Sequence, residues 1–557
     1  MFVLLGLCIL FPSVTPSKVE IIDESDILLE RYKREVDEND IRDALCKDKN
    51  PGEFFRLVAG AKHCRDVVAC ADGGLQAIRC PPGLAFDLEK QTCEWRNAVQ
   101  NCNTKARPKL VLPLFNTKEP LCDPGYLACG DGQCVRKELF CDDIPQCIDG
   151  SDENLCGPRT DPNRAESCDT DICKLPDCFC SPSGTKIPGG LKPEDVPQMI
   201  VMSFDDAVNN NNFDIYKNFF NGRRKNPNSC DIKATFFVSH KYTNYSMVQE
   251  LYRSGHEIAS HSITHDNVED YWTYGTKELW TQEMKGSKEI IESFGGVPKG
   301  SVYGSRSPLL RLGGNRQFAA LEESDFLYDS SLVAPLQNPP LWPYTTFFAL
   351  PHACHGNFQK CPTRSYGVWE MIVNEFDPRE EPGQDLKEQV SGCAMLDSCS
   401  SLRSPDNLYN VLTHNFIRHY EQNRAPFGIY MHAAWLGKSP EMLEALEFWL
   451  DEILSTYKDV YVVSMYDVLK WMQQPVSIRD AVKFSGWKER CTHLDTPDTC
   501  KSLKECELET PALGGVKQRL QTCQDCPSYY PWLGDPTGSG VYEDFTFSVK
   551  EPQATRN

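Results

Sequence analysis

Residues 199–208 read MIVMSFDDAV, an apolar run that ends in two adjacent carboxylates, Asp205 and Asp206. Two acids this close cannot both stay ionised without compensating positive charge. A divalent metal can supply it for one of them and an arginine for the other. The chain carries the remaining groups that such chemistry needs. In SHSITH (260–265), His261 and His265 stand four apart, a spacing that would put both imidazoles on one side of a helical turn. Two neutral imidazoles and one carboxylate form a three-ligand set that leaves positions for water and substrate, as catalytic rather than structural metal sites do. GSRSPLLR (304–311) supplies Arg306 and Arg311, and YMHAAW (430–435) supplies His432. Arg306 is the expected partner of the acid that does not bind metal. Together these groups point to metal-assisted attack of water on a carbonyl, with His432 as a proton donor.

The elements around them must place the groups at one end of a sheet. QMIVMSF, KATFFVS, HEIAS, PFGIYMHAAW and DVYVVSMYDVLKWM are apolar, β-rich runs, separated by amphipathic stretches such as TKELWTQEMKGSKEIIESF. Continuous apolar strands alternating with helices predict an α/β domain, a parallel barrel or a doubly wound sheet, with chemistry at the carboxyl ends of the strands.

The 557 residues exceed one core. A net charge of −21 opposes general binding to nucleic acid or anionic membranes. FVLLGLCILF (2–11) is too short to span a bilayer and reads as a secretory signal over 1–17; no other segment reads as a membrane span. A charged leader (18–43) follows, with a dibasic stretch at Arg31 to Arg34. Without Cys8, 26 clustered cysteines remain, which predicts disulfides and an oxidising, extracellular setting. Asn244-Tyr245-Ser246 is a sequon for N-glycosylation.

Cys46, Cys64, Cys70, Cys80, Cys93 and Cys102 span 57 residues, too few to fold on an apolar core alone. This block (44–104), with CPPGLAFD and CEW, resembles the peritrophin-A type chitin-binding domain. Flat apolar faces would meet the sugar rings, so Phe54, Phe55, Phe86 and Trp95 are the candidate platforms, although a domain this small must spend some of them on its core. A second block (121–157) contains Cys122, Cys129, Cys134, Cys141, Cys147 and Cys156 and ends CDDIPQCIDGSDENLC. It resembles the low-density-lipoprotein receptor class A module. That resemblance implies Ca²⁺ held by Asp142, Asp152 and Glu153, at reduced affinity because Gln146 replaces a usual ligand aspartate. Residues 158–195, with Cys168, Cys173, Cys178 and Cys180, form a stapled connector.

Residues 196–475 resemble the polysaccharide deacetylase (NodB homology, carbohydrate esterase family 4) domain on the strength of Asp-Asp after a strand, His-Ser-x-x-His, Arg-x-Pro and the strand-end His. With both modules in front, the chain is similar to insect-type chitin deacetylases. The resemblance implies a distorted (β/α) barrel preceded by two disulfide-rich modules. It also implies Asp205 as base, Asp206, His261 and His265 on a metal, usually Zn²⁺, and His432 as general acid. Beside it, we expect Asp329 in YDSS to orient His432 and the backbone N–H near Leu309 to face the developing oxyanion. The family commonly has an aromatic where Leu309 stands and Leu where Tyr430 stands, and both positions border the expected acetate pocket. The implied partners are chitin, chitin oligomers and other matrix proteins in a cuticle-like matrix. The competing expectation is a feebly active protein that organises chitin by binding it.

His352 and His355 read as part of a disulfide-bearing loop rather than a second metal site. Cys354, Cys361, Cys393 and Cys399 imply loops tied over the barrel face. Trp342, Trp369 and Trp435 are either core or sugar-groove residues, and the tail (476–557) reads as irregular and stapled.

Overall fold

The computed structural model describes residues 122–541 apart from 143–144, 154–155, 157–159, 357–358, 380–390 and 492–499, together with short segments between 20 and 99. The signal segment, nearly all of the leader and the end of the tail lie outside the described residues. Two compact units divide at Asn163/Arg164.

In the first unit, strands Phe54–Phe55, Asp66–Ala71 and Gly74–Arg79 pair antiparallel, and Leu84–Asp87 forms a hairpin with Thr92–Trp95 that Cys80–Cys93 closes. Phe86 is 3% exposed and packs with Val67 and Cys80. It belongs to the small core, so its expected role as a sugar platform is corrected. The side chains of Phe54, Phe55 and Trp95, and those of Cys46, Cys64, Cys70 and Cys102, lie outside the described residues. The class A module pairs its cysteines 122–134, 129–147 and 141–156 around a hairpin of Tyr126–Ala128 and Cys134–Arg136.

The second unit is built on β1 (Gln198–Asp205), β2 (Thr235–Val238), β3 (Glu257–Ser260), β4 (Gly304–Ser305), β5 (Tyr328–Asp329), β6 (Tyr344–Thr345), β7 (Trp369–Glu370), β8 (Phe427–Met431) and β9 (Val460–Val463). The sheet runs β6-β7-β5-β4-β3-β2-β1-β8, with β9 also on β1, and only the β6/β7 pair is antiparallel. It is a curled, incompletely closed barrel, which agrees with the expected distorted (β/α) architecture. Helices α1 (Phe213–Phe219), α2 (Tyr245–Arg253), α3 (Lys277–Phe294), α4 (Asn315–Glu323), α5 (Pro405–Tyr420), α6 (Pro440–Thr456) and α7 (Met465–Gln473) lie between and after the strands. Alternation along each strand sorts two cores. Ile200, Met202, Phe204, Phe236, Ile258, Ile429 and Met431 pack with α1 to α6, whereas Met199, Val201, Phe237, Ala259 and Tyr430 form a second cluster with Trp342, Trp369 and the buried face of α7. Those two tryptophans are therefore core, and Trp435 is half-buried.

The connector is stapled by Cys168–Cys180 and Cys173–Cys178, and Cys230–Cys491 ties the barrel to its tail. The tail is more regular than expected: Lys504–Leu508 and Gln518–Thr522 form a hairpin held by Cys500–Cys523 and Cys506–Cys526. Period-2 patterning was hidden there, because the strands are mostly polar and bury only Cys506, Leu520 and Thr522. Asn244 is 2% exposed and caps α2, its Oδ1 accepting from the N–H and hydroxyl of Ser246. The sequon's asparagine thus serves as a buried helix cap through its Oδ1.

Candidate metal and acid–base site

Strand alternation gives the two acids different surroundings. Asp205 continues the inward row of Met199, Val201 and Ser203, and is 5% exposed. Asp206 has φ +85°, a left-handed conformation that aspartate tolerates better than most residues, and this turn ends the strand with its carboxylate half-exposed at the carboxyl end of the sheet.

Asp205 meets a fixed cation. Arg306 follows β4, is 0% exposed, and donates from Nη1 to Asp205 Oδ1 and to Ser203 Oγ, each at 2.8 Å. Its Nε and Nη2 donate to the carbonyl and hydroxyl of Ser330, both at 2.9 Å. The guanidinium carbon lies 4.2 Å from the Phe237 ring centroid and 4.7 Å from that of Tyr430. Acceptors and π-faces thus compensate the burial of this charge. Tyr430 is buried against Arg306 rather than open to an acetate pocket, which gives its departure from the family pattern a different physical basis. Arg311 pairs with Glu269, away from this ion pair.

Asp206, His261 and His265 come together: one donor atom from each lies within 4.8 Å of the others. His265 Nε2 is 3.1 Å and His261 Nε2 4.0 Å from Asp206 Oδ1. A cation about 2.0–2.2 Å from each donor separates the donors by roughly 3.4 Å, so the set needs only small adjustments to grip one. His261 Nδ1 donates to the Arg306 carbonyl at 2.8 Å, which frees Nε2 as a ligand atom. The His261–His265 segment is not helical: Ser262 and His265 both have positive φ in a bent loop after β3. Glu283, on the buried face of α3, holds that loop. It accepts from the backbone N–H groups of Ile263 (2.9 Å) and Thr264 (3.0 Å) and from the hydroxyls of Thr264 (2.5 Å) and Tyr271 (2.6 Å). The available signal was an acid on the same helical face as Trp280, Met284 and Ser287.

His432 caps β8 and reaches Asp206 Oδ2 with Nε2 at 4.0 Å. Its Nδ1 donates to Asp397 Oδ2 at 2.8 Å, and the same oxygen accepts its backbone N–H at 3.2 Å. The expected orienting acid, Asp329, is instead fully buried and accepts from Ser305, Ser331 and Gln317. It stands on β5 behind Arg306, and Asp397, in a loop after β7, takes the place on His432. Nothing in LDSC (396–399) separated this aspartate from other loop acids. Leu309 is 47% exposed, with φ +58° in a one-turn 3₁₀ helix.

The electrostatics follow from these contacts. Burial pushes His261 down to about 4, so it is neutral and ligand-competent near pH 7. Burial opposes ionisation of Asp206, yet the hydrogen bond from His265 and the charges that His261, His265 and His432 carry at low pH hold it well below the usual carboxylate range. For His432, burial again opposes the charge, but Asp397, Asp205 and Asp206 raise it to about 9. Burial lifts Asp329 to about 6. The arrangement offers a pinned anionic acceptor, a cation-binding triad and a protonated imidazole around one opening. His352 bonds Tyr344 and His355 bonds Glu375 beside the Cys354–Cys361 disulfide, so these histidines share no ligand.

Comparison with known proteins gives three family matches: polysaccharide deacetylase over residues 192–308, chitin binding Peritrophin-A domain over 46–102, and low-density lipoprotein receptor domain class A over 120–156. The chain is 55% identical to chitin deacetylase 1 of Bombyx mori over 518 residues, 92% of this chain and 96% of that one. It is 34% identical to chitin deacetylase 8 of the same moth over 381 residues, 67% of this chain and 94% of that one. A family 4 carbohydrate esterase from Streptomyces lividans, solved with acetate, aligns with 50% of this chain and 96% of its own at 14% identity and a TM-score of 0.27. The chain belongs to the chitin deacetylase family, as a polysaccharide deacetylase preceded by a peritrophin-A and a class A receptor module.

Proposed function

We propose that this chain is an extracellular, metal-dependent chitin deacetylase that hydrolyses the N-acetyl groups of N-acetylglucosamine units to acetate and free amine. The observation that carries the reading is the meeting of Asp205–Arg306, the Asp206/His261/His265 triad and His432–Asp397 at the carboxyl end of the sheet. Asp206, His261 and His265 would hold a divalent cation such as Zn²⁺; when bound, it supplies Lewis-acid polarisation and acidifies water. Asp205, held by Arg306, takes a proton from the attacking water. His432, protonated and steadied by Asp397, gives a proton to the departing amine nitrogen. The backbone N–H at Leu309 is our candidate for receiving charge on the carbonyl oxygen.

The N-terminal module tethers the enzyme to insoluble chitin and raises effective substrate concentration. In the class A module, Asp152 Oδ1 and Gln146 Oε1 are buried without partners, an environment that fits a hard cation. Asp142, Asp152 and Glu153 would hold Ca²⁺, which would add cohesion. Gln146 donates to Asp142 at 3.2–3.3 Å and brings no charge of its own, which weakens the site.

Acetate release from a chitin oligomer by the purified chain should be abolished by a chelator and restored by a stoichiometric divalent metal. No release with any metal would leave only a chitin-adhering scaffold. A further expected result concerns pH. His432 must be protonated to act, so activity falls as pH rises through its raised pKa. Asp397→Asn removes the strongest group raising it. The alkaline limb of the kcat profile should therefore move to lower pH, with kcat near neutrality reduced by about 10–100-fold.

A further inference from the structure

We infer that the Cys393–Cys399 disulfide is a positioning device for the acid step: it closes the short loop that carries Asp397 and thereby fixes this carboxylate against His432. The inference rests on the reading of His432 as proton donor, and it assigns a site-specific role to a bond otherwise counted among the chain's staples.

The argument begins with how little else fixes the Asp397 carboxylate. Oδ2 accepts both of its described hydrogen bonds, from the ring and the backbone of His432. Among the described residues, no partner reaches the buried Oδ1. Asp205 is gripped by a buried arginine and Glu283 by four donors, but among the described residues Asp397 has no donor except its own client. A carboxylate placed on one side only must be positioned by its backbone.

That backbone is held unusually tightly. Asp397 is the middle residue of a single 3₁₀ turn, Leu396–Ser398, two positions before Cys399. The disulfide ties Cys399 to Cys393, six residues back. Cys393 exchanges two backbone hydrogen bonds with Phe376, at 2.9 and 3.2 Å, and this anchors one end of the loop beside the barrel. Next to it, a Cβ on Gly392 would come within 2.5–2.8 Å of the Glu375 side chain, so the approach tolerates nothing larger than glycine. Inside the loop, Ser398 Oγ bonds the Met395 carbonyl at 2.7 Å and accepts the Met395 N–H at 3.3 Å, while Leu396 is buried in the main core. A turn of one residue either way would swing Asp397 off His432. With the bond open, Cys393 stays paired with Phe376, but the turn loses its covalent tie to that anchor and is held by the Ser398–Met395 bonds, the burial of Leu396 and the His432 contact alone.

The test is a double-mutant cycle in the full chain, reading kcat, KM and bound metal on a chitin oligomer. Asp397→Asn should lower kcat about 10–100-fold. Cys393→Ser with Cys399→Ser should lower kcat at least fivefold with KM and metal content unchanged. In the Asp397→Asn background, opening the disulfide should change kcat less than twofold, because both changes act through one contact. Opening the Cys173–Cys178 bond of the connector should leave kcat unchanged. Should the double-serine variant fail to fold, Ser398→Ala loosens the same turn with the disulfide intact, and the same non-additivity is read from it. An equal fold-loss in both backgrounds, or none in either, overturns the inference. If Asp397→Asn itself leaves kcat unchanged, the reading of the His432–Asp397 pair fails, and this inference with it.

Discussion

Asp205→Asn is expected to lower acetate release by about a thousandfold while leaving the content of the divalent ion held by Asp206, His261 and His265 unchanged. The magnitude is that of losing a positioned general base. The separation of the two effects comes from the strand end: Asp205 points inward to Arg306, whereas Asp206 turns out through its positive φ toward His261 and His265. Asparagine keeps the shape at Asp205 and can still accept the Arg306 hydrogen bond, so the triad is undisturbed. Acetate assays paired with metal analysis of the same sample check this. Loss of metal together with activity would mean that the two acids have exchanged roles.

Arg306→Met is expected to cost about 3–5 kcal/mol of stability, the usual penalty for removing one partner of a buried ion pair. Methionine fills part of the space between Phe237 and Tyr430 but leaves the Asp205 charge, Ser203 Oγ and both Ser330 oxygens without their donor. Pairing the change with Asp205→Leu should recover a large part of the loss, because the double variant buries no lone charge. Denaturant midpoints of the four proteins measure it. A loss below about 1 kcal/mol for Arg306→Met would show that the pair is solvated and that Asp205 does not depend on it.

The order in which sequence yielded these groups follows how each is encoded. Asp205, Asp206, Arg306 and His432 lie at or just after strand ends, and an apolar run followed by a polar group marks such a position on its own. The barrel was legible for the same reason: Val201 and Phe236 sit in nearly continuous apolar strands between helical patterns. Asp397 was hidden because its role depends on a loop folding back from beyond β7, a long-range closure that no local pattern reports. Asp329 was expected in its place because it is an acid at a strand end, and only register pairs it with Ser305 beside Arg306 rather than with His432. The histidine loop shows the converse. Spacing of four suggested a helical turn, but two left-handed residues and the Glu283 anchor bring the imidazoles together by a different route. Asn244 carried a surface signal in a residue that the fold uses as a buried helix cap.

The central claim is that Asp206, His261 and His265 grip one divalent cation beside Asp205. Anomalous diffraction from crystals of the active protein, recorded on both sides of the metal absorption edge, tests it most directly. One peak within about 2.0–2.2 Å of the Asp206 carboxylate and both Nε2 atoms is the predicted result. A fully active crystal with no peak there, or with the ion bound elsewhere, would contradict the account.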